Sequence, residues 1–355
     1  MALTTVRPQG MGFNTGRRNL IINGAMQVAQ RGTSSTTNGY ASLDRYQNSH
    51  SGGTVTQTQE SLTSGDPYDD GHRNFLRSTN TSAGSAAATD NLQIQQIIES
   101  QDLASSGWDS TSTNSFITLS AWLRSSLGGT YYVRFYIYDG NKNYTSQITL
   151  SADTWKQVTI TIPGASGNTI NNDNGQGMFI AFVPYIGTNN TASDFTLNQW
   201  ATFATGSQAP DYAQNWRSTS SATFDITGVQ LELGENASDF EHRSIGEELA
   251  LCQRYHQRFT GVTNGRVGFG TKTSATGARC IIPFNTAMRT TPSHSITGTP
   301  RFETGAAAQN VSSINTSGAN TLVGGFDVVT ASGGAQNDPG VLDMGDGGYI
   351  FDAEL

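Results

Sequence analysis

Apolar and polar side chains alternate with a period of two along most of this chain, a pattern that marks strands rather than helices. The clearest case is "TYYVRFYIYDGNKNYTSQITL". There Tyr131, Val133, Phe135 and Ile137 share one face and Tyr132, Arg134, Tyr136 and Tyr138 the other, ahead of an Asp139-Gly140 turn signal. The spacing predicts a hairpin with one apolar face and one polar aromatic face. "DTWKQVTITIPG" turns Val158, Ile160 and Ile162 inward and Thr159 and Thr161 outward, and "GMFIAFVPYIG" is apolar on both faces, as in a central strand of a sandwich. In "SATFDITGVQLELG" the inward set Phe224 and Ile226 changes phase to Val229, Leu231 and Leu233. One residue has been inserted, so a β-bulge is expected near Thr227-Gly228.

Helical spacing is confined to two stretches. "TDNLQIQQIIESQDLA" places Leu92, Ile94, Ile97 and Ile98 so as to suit either a helix or a strand pair broken near Gln95. In "GEELALCQRYHQR" the residues Ile245, Leu249, Cys252 and Tyr255 form one stripe, and Ser244 precedes Glu247 at capping-box spacing. The expected organisation is all-β: an extended N-terminal docking arm over 1–18, a jelly-roll sandwich over 19–240, a short linker helix within 241–259, and a smaller C-terminal β domain over 260–355. The arm has too few apolar side chains to bury, so order is expected only against a partner. "GGFDVVTASGG" and "GYIFDAEL" read as sheet edges with few charges to protect them.

Composition agrees with turns and strands. Of the 355 residues 40 are Gly, and only 14% are charged, where about a quarter is usual. A net charge of -8 with no clustered Lys or Arg excludes a nucleic-acid binder. No apolar run is long enough to cross a membrane, and the opening residues carry no secretory signal. Cys252 and Cys280 are too few for a disulfide scaffold or a zinc site; they read as buried thiols, with a bridge between them left open.

Candidate chemistry is sparse. His50, His72, His242, His256 and His294 have no metal-ligand spacing, and His242 in "FEHR" reads as a surface or interface residue rather than a base. Gly268, Gly270 and Lys272 in "GFGTKTSATG" lack phosphate-loop spacing and read as a glycine-bearing turn. Asp66, Asp69 and Asp70, or Asp343 and Asp346, are solvated turn residues or loop ligands for calcium. The rest is aromatic. Tyr132, Tyr136 and Tyr138 share a strand face, and Trp200, Tyr212 and Trp216 lie in the irregular "NQWATFATGSQAPDYAQNWRSTS". Flat rings with polar edges suit sugar recognition and protein contact, so these six are the candidate ligand-binding residues, with loop packing as their structural alternative.

One series of motifs adds to this. "NLIINGAMQVAQRG", "LDRY", "FDITGVQLELG", "FEHRSIGEELALCQRY" and the closing "DAEL" resemble, in combination and over nearly the whole chain, tail-fibre-like virion proteins of marine and cyanobacterial tailed bacteriophages. The N-terminal part is also similar to jelly-roll carbohydrate-binding modules, whose first strand reads like "NLIINGAM" and last like "FDITGVQLE". Those modules often hold a structural calcium through acidic residues, where this chain has Ala25 or Met26 and Thr227. The resemblance implies a non-enzymatic bacteriophage structural protein, a tail fibre or similar appendage. It would be made in the host cytoplasm, carried in the virion and assembled as a homotrimer. It would contact other virion proteins through its arm and host surface glycan or a neighbouring virion protein through its domains, with no cofactor and no metal. A capsid-decorating or adaptor protein without a receptor role, and a polysaccharide-cleaving enzyme, are the rival classes.

Overall fold

The computed structural model describes residues 18–212, 215–260, 263, 265–305 and 307–355. They form two compact units: Thr33–Arg243 with the residues up to Gln27, and Val28–Gly32 with Ser244–Leu355. Residues 1–17, nearly all of the expected arm, lie outside the described residues. Arg18, its last member, pairs with Glu232 at 3.6 Å.

In the first unit the elements are β1 (Ser34–Ser35), β2 (Gln47–Ser51), β3 (Thr54–Ser61), α1 (Asp66–Asp69), β4 (Asn74–Ser82), β5 (Asn91–Glu99), α2 (Ser100–Ala104), β6 (Phe116–Ser125), β7 (Gly129–Ile137), β8 (Lys142–Leu150), β9 (Lys156–Pro163), β10 (Gln176–Ile186), β11 (Ala201–Thr202) and β12 (Thr223–Leu233). Pairing antiparallel, the described strands make two six-stranded sheets, ordered β1-β3-β4-β12-β6-β9 and β11-β8-β7-β10-β5-β2. One core fills the space between them. Leu119, Leu123, Ile160, Phe224 and Ile226 enter it from the first sheet, and Val133, Phe135, Ile180 and Phe182 from the second. This is a jelly-roll sandwich, and each large apolar side chain so buried contributes about 1.5–3 kcal/mol.

The expected hairpin is β7–β8, with Ile137 opposite Lys142. The bulge in β12 also falls where the phase change put it. Its register against β6 shifts between Thr227 and Gln230, and Gly228 takes φ +60 there. The stretch around Leu92 is neither a helix nor a broken strand pair. It is the single strand β5 followed by one turn of helix, α2. The phase holds because Gln96 occupies an inward position and spends its amide on the backbone of Ile22, accepting from its N–H at 2.9 Å and donating to its carbonyl at 2.8 Å.

The second unit opens with α3 (Ile245–Gln253), whose N-terminus carries the expected capping box between Ser244 and Glu247. The helix belongs to this unit rather than to a segment between units. Its stripe is only partly inward, with Cys252 buried and Ile245 59% exposed. There follow β13 (His256–Thr260), β14 (Arg266–Ser274), β15 (Gly277–Pro283), β16 (Ser293–Thr297), β17 (Arg301–Thr304), β18 (Ala308–Thr316), β19 (Val323–Thr330), β20 (Pro339–Asp343) and β21 (Gly348–Asp352). Six of them close a barrel, β14-β15-β19-β18-β17-β20, and β13-β21-β16 form a three-stranded sheet.

This closure corrects two expectations. "GGFDVVTASGG" is not an edge, because β19 pairs with β15 on one side and β18 on the other. "GYIFDAEL" holds β21, the middle strand of its sheet. The edge argument for an oligomer therefore has no footing in these strands. Gly268 and Gly270 likewise stand inside β14 rather than in a turn; a Cβ on Gly270 would lie 2.2 Å from the Arg279 carbonyl oxygen of β15. Lys272 is buried in the same unit, donating to Gln309 at 2.7 Å and Thr330 at 2.8 Å. Cys252 and Cys280 are both buried, and no disulfide joins them. Among the described residues no helix is long and apolar enough to cross a membrane.

Asp352 fastens the segment Val28–Gly32 to this unit. Its Oδ2 lies 2.7 Å from Arg31 Nη2 and 3.1 Å from His256 Nδ1. Burial alone would raise its pKa, but the His256 and Arg31 contacts outweigh burial and hold it well below the usual carboxylate range. A depressed carboxylate stabilises fully above its unfolded value of about 3.9 and loses that contribution as pH falls further. Native-state hydrogen exchange at the Gln257 and Phe259 amides is therefore expected to speed up, beyond the intrinsic trend, as pH drops below about 4. Asp352→Asn should flatten that dependence, and identical profiles for the two chains would contradict it.

Candidate functional site

The six aromatic candidates do not converge. Trp216 is fully buried, its indole N–H donating to the Thr223 carbonyl at 3.1 Å. It is a core residue and cannot meet a ligand, which corrects that expectation. A 3₁₀ turn, Trp216–Ser218, carries the indole into the core of the sandwich. Trp200, half-buried, donates to the Pro163 carbonyl at 2.7 Å and packs 5.3 Å from Tyr144.

The tyrosines do share the outer face of the second sheet, but the connection from β10 to β12 lies over it. Tyr132 is 5% exposed and meets Tyr212 edge-on at 5.1 Å, while Tyr212 donates its hydroxyl to the Val183 carbonyl. Burial pushes the Tyr212 hydroxyl well above its ordinary pKa. Tyr136 packs 4.9 Å from Tyr138 and 5.1 Å from Phe203 of the covering segment. That segment is tied down by polar contacts as well: Asn198 N–H donates to the Thr145 carbonyl at 2.9 Å, and Thr145 Oγ1 to the Gln208 carbonyl at 2.8 Å. The loop-packing alternative describes these rings.

The open site is on the other sheet. On the outer face of β6 and β9, two neighbouring cross-strand pairs, Ser120 with Thr159 and Trp122 with Gln157, form the floor of a groove of about 690 Å³. Trp122 is 9% exposed and donates its indole N–H to Asp70 Oδ2 at 3.1 Å, which fixes the ring and brings a carboxylate to the rim. One wall is the turn after α1, with Asp70 and His72; the other is the stretch Ala237–Phe240 with His242.

The second wall is held by the polar face of β12. Glu232 accepts from Ser238 N–H at 2.8 Å and from its hydroxyl at 2.6 Å, and Gln230 Oε1 accepts from Glu241 N–H at 2.8 Å. So anchored, Phe240 sits 4.7 Å edge-on to His72 and 4.9 Å from His242, and the two imidazoles are 5.3 Å apart. His242 Nε2 lies 2.9 Å from the Asp70 carbonyl oxygen, tying the walls together. Gly228, at the bulge, lets His72 come this close, since a Cβ there would stand 2.6 Å from its Nε2. His72 is driven down to about 4, first by burial and then by His242, with Arg73 adding to it and Asp70 opposing, so it is neutral at physiological pH.

Further along the same face Asp225, fully buried, holds Arg77 and Arg124, each Nε at 2.8 Å. The Arg124 guanidinium lies 4.6 Å over the Trp155 ring. Of these residues the sequence marked Asp70 as a turn residue or calcium ligand, Thr159 as an outward strand position, and His72 and His242 as histidines without metal-ligand spacing, His242 reading as a surface or interface residue. Trp122 carried a usable signal, an aromatic at an outward position of an alternating strand. The return of Ala237–Phe240 onto β12 carried none, because it depends on two side chains of a strand that looks like any other.

Asp343 accepts from Arg301 through both oxygens, at 3.1 and 2.9 Å, and from the Gly345 N–H at 2.8 Å. Thr227 donates to the Asn74 carbonyl at 2.7 Å, and Met26 is buried in the core. Among the described residues no group of three or more His, Cys, Asp and Glu is arranged to hold a metal.

No protein-family model matches the chain, and no curated protein matches it. Several solved structures are similar to part of it. A family 11 carbohydrate-binding module from Clostridium thermocellum, in complex with a β-1,3-1,4-mixed-linked tetrasaccharide, is 11% identical and covers 59% of this chain and 98% of its own, with a TM-score of 0.29. The CBM22-1 xylan-binding domain from Paenibacillus barcinonensis is 9% identical over 62% of this chain and 99% of its own, at 0.29. A cyclase from Fischerella sp. TAU is 10% identical over 63% of this chain and 100% of its own, at 0.34. Likeness this distant carries no functional argument; function has to be argued from the groove.

Trp216→Ala should cost about 3–5 kcal/mol of stability, as for other buried indoles. Thermal unfolding of the variant measures it, and an unchanged melting temperature would show the ring to be outside the core.

Proposed function

We propose that this chain is a non-enzymatic structural protein of a bacteriophage particle, a tail fibre or similar appendage, whose jelly roll holds host surface glycan in the groove over Trp122. The groove carries the binding part of the reading. It pairs aromatic surface from Trp122 and Phe240 with hydroxyl, amide and carboxylate groups from Ser120, Gln157, Thr159 and Asp239. Such a mixture matches a sugar ring, apolar on its faces and ringed by hydroxyls. The space falls within the usual range for small-ligand sites, about 300–1,000 Å³.

The virion part rests on the motif series from "NLIINGAMQVAQRG" to "DAEL". A homotrimer and docking through the N-terminal residues belong to that part of the reading, and sedimentation equilibrium tests the trimer. Cys280 is not poised as a nucleophile. Burial, with Asp327 adding to it, pushes the Cys280 thiol up to about 12, away from the thiolate a nucleophile requires.

The test is titration of the full chain with oligosaccharides from the host surface. Trp122→Ala and Phe240→Ala should each weaken binding by about 1–2 kcal/mol, roughly five- to thirtyfold in Kd. Trp200→Ala should leave it unchanged, and no new reducing ends should appear. Binding indifferent to both groove variants, or release of reducing ends, would sink the proposal.

A further inference from the structure

The charge arrangement around the groove is one-sided. Asp70 and Asp239 stand exposed at its rim, and neither lysine nor arginine is among its lining residues. Cations are close by. Arg18 donates to the Asp239 carbonyl and pairs with Glu232 at 3.6 Å. Arg73 donates Nη1 to the carbonyls of Tyr68 at 2.9 Å and His72 at 2.8 Å, with its guanidinium 4.0 Å over the Tyr68 ring. Arg124 is bound to Asp225 at 2.8 Å, and Lys156 gives its ammonium to the Thr149 carbonyl at 2.9 Å. Arg243 reaches the Ile21 carbonyl at 3.1 Å. The groove therefore presents two carboxylates that no lysine or arginine side chain among the described residues pairs, beside aromatic faces, in a chain whose net charge is -8.

The groove wall also holds a polar atom that the protein leaves unsatisfied. His72 is 1% exposed, lines the groove, and its buried Nδ1 has no hydrogen-bond partner. A buried polar atom without a partner calls for an explanation, and a bound water or ligand group is one.

Resting on the glycan reading above, we propose that the groove selects a saccharide bearing a free ammonium, an unacetylated amino sugar, and turns away carboxylated or sulfated chains. A sugar ammonium entering over Trp122 and Phe240 meets ring faces that attract cations and carboxylates of opposite charge. A uronate or sulfate meets the same field with the sign reversed, and no arginine or lysine lines the groove to answer it. Neutral sugars gain the ring contact alone. Because both carboxylates are exposed, the preference should shrink as salt rises.

Calorimetry on the full chain separates these cases, with three probes of equal length: fully deacetylated chitotetraose, its N-acetylated counterpart and tetragalacturonate, in mildly acidic buffer where the sugar amine is charged. The deacetylated tetramer should bind on the order of tenfold tighter than the acetylated one. Tetragalacturonate should bind weakest, and Asp239→Asn should cut the preference to about threefold or less. Equal or tighter binding of the acetylated tetramer through the groove overturns the ammonium selectivity and leaves the glycan reading standing. Binding of the deacetylated tetramer that survives both Trp122→Ala and Phe240→Ala reflects attraction to the acidic chain at large and also overturns the selectivity. If none of the three binds in a way that depends on Trp122 or Phe240, the proposal falls, and host-derived oligosaccharides then decide the broader reading.

Discussion

A single inserted residue in β12 organises the first unit. The strand runs between β4 and β6, and without the register shift between Thr227 and Gln230 its second half would turn Val229 and Leu231 to solvent. With the shift, both halves point their apolar side chains into one core, and Gln230 and Glu232 reach the outer face. There they gather the returning Ala237–Phe240 stretch. The left-handed conformation at the bulge favours glycine, and the missing Cβ is what admits His72. The groove is thus a consequence of how one strand keeps its phase.

Two sheets with aromatic outer faces end in different states for a similarly concrete reason. Over the second sheet, the segment from β10 to β12 covers Tyr132, Tyr136 and Tyr138 and is anchored through Thr145, Asn198 and Gln208. Over the first, the returning stretch stops at the edge of the floor, leaving Gln157 and Thr159 exposed and Trp122, 9% exposed, lining the groove. A ring on an outward strand position is a candidate contact only where no other part of the chain has claimed it.

Much of the fold was legible because alternation reports directly on burial. Tyr131 through Ile137, Val158 through Ile162 and the phase change after Ile226 all lie where their pattern puts them. The pattern misled where one inward position was polar: Gln96 breaks the apolar run of β5, yet it satisfies the backbone of Ile22 and the strand continues. It was also silent for the polar strand β18, "AQNVSSINT", whose partner β19 was consequently read as an edge. Of the site, Trp122 was visible in principle, whereas Trp216 was misplaced because an indole in an irregular segment looks the same whether it faces a ligand or the core. Phe240 and His242 reach the groove through the side chains of Gln230 and Glu232, a long-range contact that no local spacing encodes.

The central claim is that this molecule meets glycan on the outer face of β6 and β9, and not on the tyrosine face of the other sheet. Hydrogen exchange by mass spectrometry, with and without a saturating oligosaccharide, locates the contact without any substitution. Slowed exchange confined to the amides of His72 and Ser238–His242 is the predicted result. Slowed exchange over Thr191–Tyr212, with those amides unchanged, would contradict it.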